Sequence, residues 1–318
     1  SSARVGAERR RALEYRWAEQ RGAAPGSGAT TGWVILDPVV SVHDDQVSFE
    51  AFSRDGGAYA RVGVDRSALD EPPGDEVVLG TTNVDFSSGF YEAVRRLRSI
   101  WRTELALGHD PDASSVEVRS GIDAHREKKV DLPDTWLRGF VQLGAASLVE
   151  SVQVELLAVH VHDLCRYLRL HKAKTSPRAL RWELTPGQPA VLVYEPWEHR
   201  VVLTGSTHGA TEPRVIRIWG RNRLRLIERV IPHAKRFVVH LLGRGLPYFV
   251  TARGDGLDFT LGLTGWTKSG WTSTARLDAL IARRRVVGGR AASTKPLTWL
   301  ESSRRGTPAE VAAGSSRA

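Results

Sequence analysis

Short apolar runs, punctuated by turn-forming residues, set the tightest limit on what this chain can fold into. After Trp33 come Val34–Val42, Gln46–Phe52 and Tyr59–Val64, separated by Asp44-Asp45 and by Asp55-Gly56-Gly57. Runs this short suit strands, and Asp and Gly supply the backbone shapes that tight turns need, so the segment predicts a three-stranded meander. The same punctuation recurs at Leu180–Leu184, Ala190–Tyr194, Arg200–Leu203, Arg214–Trp219, Phe237–Leu242, Pro247–Ala252 and Leu257–Leu263. Arg253-Gly254-Asp255-Gly256 has the chemistry of a hairpin joining the last two.

Helical spacing interrupts this pattern in a few places. Phe90, Val94, Leu97 and Trp101 recur at steps of four, three and four, which predicts an amphipathic helix over about 87–107 with Asp85 or Ser87 as its N-cap. The stretch before it, Gly80-Thr81-Thr82-Asn83-Val84-Asp85-Phe86, reads as a self-locking turn that starts the helix. Strands are expected at Ser115–Arg119, Glu127–Leu132 and Val152–Val159, and helices at Pro133–Leu148, at about 160–172 and at 221–231. The fold class is therefore α+β, with two β-rich halves of mostly antiparallel strands, each carrying amphipathic helices. A first domain is expected over 33–173 and a second over 178–282, divided at Lys174–Arg178. No residue-level repeat joins the two.

Charge narrows the function classes. The net charge of +9 resides in the ends: six arginines face three glutamates in 1–22, and eight basic residues face two acidic ones in 283–318. The middle is formally neutral, which weakens a fold-wide case for nucleic acid. Residues 1–32 read as a basic tail and linker, and 283–318 as a disordered basic tail. The single cysteine, Cys165, excludes a disulfide or a multi-cysteine zinc site within this chain and fits a reducing cytoplasm. No stretch approaches the roughly 18 apolar residues of a membrane span, and the start lacks a secretory h-region. The chain contains no methionine, so a fragment or an incompletely defined reading frame is the expectation.

Candidate chemistry is sparse. His160, His162, Asp163 and Cys165 form the one mixed His/Asp/Cys cluster, but a structural zinc site needs four converging ligands, so no metal site is assigned. Walker and dinucleotide glycine patterns are absent. Arg221, Arg225 and Arg229 recur at i, i+4, i+8 and would form one basic row on a helix. Trp266 and Trp271, set among glycines and hydroxyls, suit either a contact surface or a strand end whose indoles cap the core. Glu50, Asp55 and Asp85 would have to converge to make a hydrolase pair.

The series Leu36–Val40, Phe49–Ser53, Tyr59–Arg61, Gly80–Phe86 and Glu127–Phe140, followed by Phe259–Trp266, resembles the non-finger region of bacterial SWIM zinc-finger proteins. The structural signature within it is Phe49, Glu50, Asn83, Asp85 and Trp136. The family's Cys-x-Cys…Cys-x-His finger is missing, so zinc is expected only if a finger lies outside this chain, and the chain itself is assigned no cofactor. The resemblance implies company with MoxR-type AAA+ ATPases and von Willebrand A proteins. The leading expectation is a cytoplasmic, non-enzymatic adaptor that binds a protein partner, with the tryptophan segment as its contact. The alternatives are nucleic-acid binding through Arg221, Arg225, Arg229, Trp266 and Trp271, and an uncharacterised hydrolase.

Overall fold

Nine antiparallel strands, drawn from both expected halves, lie side by side in one sheet. They belong to a computed structural model that describes residues 38–272 apart from 54, 71–77, 85–86, 99, 109–114, 122, 129–131 and 266–269. In chain order the elements are β1 (Val39–Val42), β2 (Gln46–Phe52), β3 (Ala58–Asp65), β4 (Gly80–Asn83), α1 (Ser88–Arg96), β5 (Thr103–Leu107), β6 (Ser115–Ser120) and β7 (Asp123–Lys128). Next come α2 (Asp134–Ser147), β8 (Val152–Leu156), α3 (Ala158–Leu170), β9 (Leu180–Leu184), β10 (Val191–Tyr194), β11 (His199–Val202), β12 (Thr207–His208) and β13 (Arg214–Ile218). A one-turn α4 (Arg221–Leu224), a 3-10 helix (Arg225–His233), β14 (Arg236–Leu241), β15 (Tyr248–Arg253) and β16 (Leu257–Leu263) complete the series.

The large sheet runs β12-β8-β14-β15-β16-β3-β2-β1-β4, beside a four-stranded sheet β11-β10-β9-β13 and a three-stranded sheet β5-β6-β7. A strand presents alternate residues to its two faces. One face of the large sheet carries Val47, Val250, Leu261, Val239 and Val154, the pairing register keeping them together. Phe90 of α1 packs there with Val40 and Val47, and with Val116 and Val118 of β6. The opposite face is polar in its middle. Arg61 bridges to Asp258 at 2.9 Å, Gln46 donates to Asp258 at 2.5 Å, and Ser41 meets Thr81 at 2.9 Å. At one end that face turns apolar, and α2 lies over it: Trp136, Leu143 and Ala146 pack with Val39, Phe52, Tyr59 and Phe249. A Cβ on Gly139 would sit 2.6 Å from the Phe52 ring, so glycine is what lets α2 approach.

The connectivity repeats where the residues do not. The unit β4–α1–β5–β6–β7 places its first strand beside β1, the start of the β1–β2–β3 meander. The unit β8–α3–β9–β10–β11 does the same beside β14, the start of β14–β15–β16. After β12, at the end of the large sheet, the chain crosses to the four-stranded sheet, where β13 pairs with β9.

Three expectations are corrected. Gly80–Asn83 is an edge strand paired with β1 rather than a turn, because its two threonines and a buried Asn83 fit the ladder. The helix expected over 87–107 stops at Arg96, Leu97 turns to extended backbone, and Thr103–Leu107 pairs with β6. Glu, Leu and Ala favour helix there, but the β6 ladder overrides that preference. The helix expected over 221–231 is α-helical only to Leu224, after which it tightens to 3-10 geometry with Pro232 inside. Both terminal segments, and Val34–Asp37 of the first expected strand, lie outside the described residues.

Candidate functional site

The expected contact residues do not form one surface. Arg221 is buried, donating from Nη1 to the Glu195 and Ala179 carbonyls. Arg225 is half-buried and Arg229 exposed. In 3-10 geometry, with about three residues per turn, residues four apart point roughly 120° apart, which dissolves the basic row. Trp271 is fully buried against Phe249, with Nε1 donating to the Gly262 carbonyl at 3.1 Å. It caps the core and offers no contact face. Trp266 and Asp85 lie outside the described residues.

The remaining signature residues are structural. Phe49 is half-buried beside the Phe90 cluster, Trp136 meets Phe52 edge-on at 5.3 Å, and Glu50 accepts the Tyr59 hydroxyl. Asp55 sits in the β2–β3 turn, accepting from Ser53 at 2.7 Å and Gly57 N–H at 3.1 Å and pairing with Arg223. Burial works to raise its carboxyl, but those partners hold it below the ordinary range. Glu50 and Asp55 are therefore committed to separate tasks, and a hydrolase pair does not form from them. Ser87, Glu127 and His125 do touch, with Glu127 Oε1 taking both Ser87 and His125 at 2.8 Å for the latter. The hydroxyl and the imidazole both bond Glu127 Oε1, so the hydroxyl donates to the carboxylate, and Ser87 Oγ also caps α1 by accepting from Phe90 N–H.

On α3 the expected cluster separates. Cys165 is buried, and burial pushes its thiol up to about 12. His162 is exposed beside Asp163, and His160 reaches the Thr204 carbonyl at 3.0 Å. Among the described residues no group of three or more His, Cys, Asp or Glu is placed to hold a metal.

Two surfaces that the sequence did not single out stand out. The first adjoins α2. Leu137, Val141 and Leu148 point away from the core, Val141 with 65% of its surface exposed. The row leads to an open cleft of about 340 Å3 lined by Val149, Glu150, Arg214, Val215, Ile216 and the Leu241–Arg244 turn. β13 borders it as the end strand of its sheet, with Val215 65% exposed.

The second is the β10–β11 hairpin loop. Glu195, with no exposed side-chain surface, accepts Arg181 at 2.8 Å and Arg217 at 2.7 Å on Oε1. Arg181 also grips Glu198. This frame presents Trp197, whose ring lies 5.1 Å from the Arg221 guanidinium carbon. Tyr167 stacks with His171 at 4.0 Å and with His199 at 5.0 Å, and both Tyr167 and His171 meet Trp197 at 5.9 Å. Individually these residues gave no motif, since α3 and the hairpin are joined only by folding.

No family model and no curated protein matches the sequence. Among solved structures, the fold is similar to the crystal structure of Proliferating Cellular Nuclear Antigen from Entamoeba histolytica, with a TM-score of 0.52. The match covers 73% of this chain and 90% of that one at 9% identity, so it speaks to fold alone. No helix among the described residues is long and apolar enough to cross a membrane.

Proposed function

We propose that the chain is a non-enzymatic adaptor that captures an extended, apolar segment of a protein partner between α2 and the free edge of β13. One observation carries this: the outward row Leu137–Val141–Leu148 runs into a cleft bordered by an open strand edge. A segment added to β13 satisfies its unpaired backbone groups and sets alternate side chains into the cleft. Arg214 on the rim is paired with Glu212 at 3.0 Å, and Arg244 faces Glu150 across the same cleft, so the lining carries both signs and the apolar side chains set the preference. The sequence resemblance directs the search to MoxR-type AAA+ ATPases and von Willebrand A proteins in a cytoplasmic setting. Zinc enters only through a finger outside this chain.

The test uses the full chain, immobilised, with a purified MoxR-type ATPase and von Willebrand A protein from the same genome. Retention by the wild type and its loss in V141E/V215R, with an unchanged far-UV spectrum, is expected. Equal retention by both proteins, or none by the wild type, overturns the proposal.

A further inference from the structure

We propose that Trp197 and the ring stack around Tyr167, bordered by the basic loop that follows α3, form a binding platform for single-stranded nucleic acid. Three observations converge on it.

The first is that the loop presenting Trp197 is held far more firmly than a hairpin requires. Arg181 pairs with Glu195 and Glu198, Arg217 with Glu195, and Arg221 with the Glu195 carbonyl. Glu198 nonetheless adopts φ 52°, a left-handed backbone that a non-glycine residue takes at a cost of about 1 kcal/mol or more. Such over-determination keeps an indole in one pose while 39% of its residue surface stays exposed.

The second is the ring chemistry. Arg221 occupies a position over the Trp197 ring, and the His171–Tyr167–His199 stack lies against it. His171, Trp197 and His199 are all exposed, so the platform offers planar surface that a base can extend.

The third is charge. Lys172 and Lys174 continue from His171 and are exposed, without an ion pair among the described residues, and Arg178 pins this loop by donating to the Lys174 carbonyl at 3.0 Å. Of the acids nearby, Glu198 is engaged by Arg181 and Glu183 by Arg181 and Arg200, while Asp163 lies beside the exposed His162 and keeps its charge whenever that imidazole is neutral. With Lys172, Lys174 and Arg178 outnumbering Asp163, the balance of charge beside the rings is positive, which suits phosphates and disfavours a basic peptide.

The terminal segments are basic by composition and would attract any polyanion, so the experiment must separate them from the platform. Full-length wild type, Trp197→Ala and Lys172→Gln/Lys174→Gln are titrated into fluorescein-labelled dT20, and into a 20-base-pair duplex, by anisotropy at 0.15 M and higher salt. The platform predicts that W197A weakens dT20 binding roughly tenfold or more while leaving duplex binding unchanged. It predicts that the double lysine variant lowers the salt slope for dT20 by about 1.4, two phosphate contacts' worth. If W197A proves misfolded by far-UV circular dichroism, the lysine pair decides alone. Unchanged affinity and slope in the variants, no dT20 binding by the wild type, or Trp197-dependent binding of a proline-rich peptide without dT20 binding each overturns the proposal.

Discussion

Arg181 holds Glu198 by two hydrogen bonds, 3.1 and 2.6 Å, and so secures a residue whose φ of 52° no other non-glycine among the described residues approaches. Arg181 also reaches the buried Glu195. Replacing Arg181 by alanine leaves Glu195 with Arg217 as its remaining charged partner and frees the loop. The expected loss is about 2 kcal/mol of unfolding free energy, read from the urea midpoint. A midpoint within error of the wild type would show that the loop is held by its backbone alone.

Gly139 gives a cleaner test of packing. Alanine is the better helix former by about 1 kcal/mol, so on propensity G139A should stabilise α2. The added Cβ would instead meet the Phe52 ring at 2.6 Å. Overpacking of this kind costs about 1–3 kcal/mol, and a net fall in thermal midpoint is expected. A rise would mean that α2 stands further from β2 in solution.

His240 makes stability depend on pH. Burial, with Arg253 adding to it, pushes its imidazole down to about 4. Above pH 7 neither folded nor unfolded chain protonates this group, and nothing is lost. As pH falls below the unfolded value of about 6.5, the unfolded chain takes up the proton first, and the fold loses about 2 kcal/mol by pH 5. The loss levels off below pH 4. His240→Gln should remove this part of the slope when urea curves at pH 7.5 and 5.0 are compared. Parallel slopes for variant and wild type would sink the assignment.

Cys165 is expected to be inert in the folded protein. It is buried, and its thiol is raised to about 12, so little thiolate exists near neutral pH. Ellman's reagent should report essentially no reaction until urea unfolds the chain, then one thiol. Prompt labelling of native protein would require α3 to open locally.

Much of the strand pattern was legible because local chemistry agreed with the final pairing. The Gln46–Phe52 and Leu257–Leu263 runs appear as β2 and β16 with their bounds intact. Legibility failed where distant partners decided the outcome. Gly80–Asn83 becomes a strand only because β1 lies beside it, and Thr103–Leu107 only because β6 does. The arginine spacing at 221, 225 and 229 was real, but its meaning depended on helix geometry that Gly220 and Pro232 alter. The Trp197 platform was invisible for another reason. Tyr167 and His199 come from separate elements, and nothing in either local sequence announces that their rings are parallel.

The shared nine-stranded sheet has a practical consequence for anyone cutting the chain. The loop at Lys174–Arg178 is exposed, a natural point for a protease or for splitting the gene. Yet seven residue pairs join β3 to β16 and five join β8 to β14 across that cut. Each fragment alone would expose long apolar strand edges and aggregate, whereas co-expressed fragments have every reason to reassemble. The chain is thus a candidate for complementation: two pieces, separately insoluble, that recover a single cooperative melt when they meet.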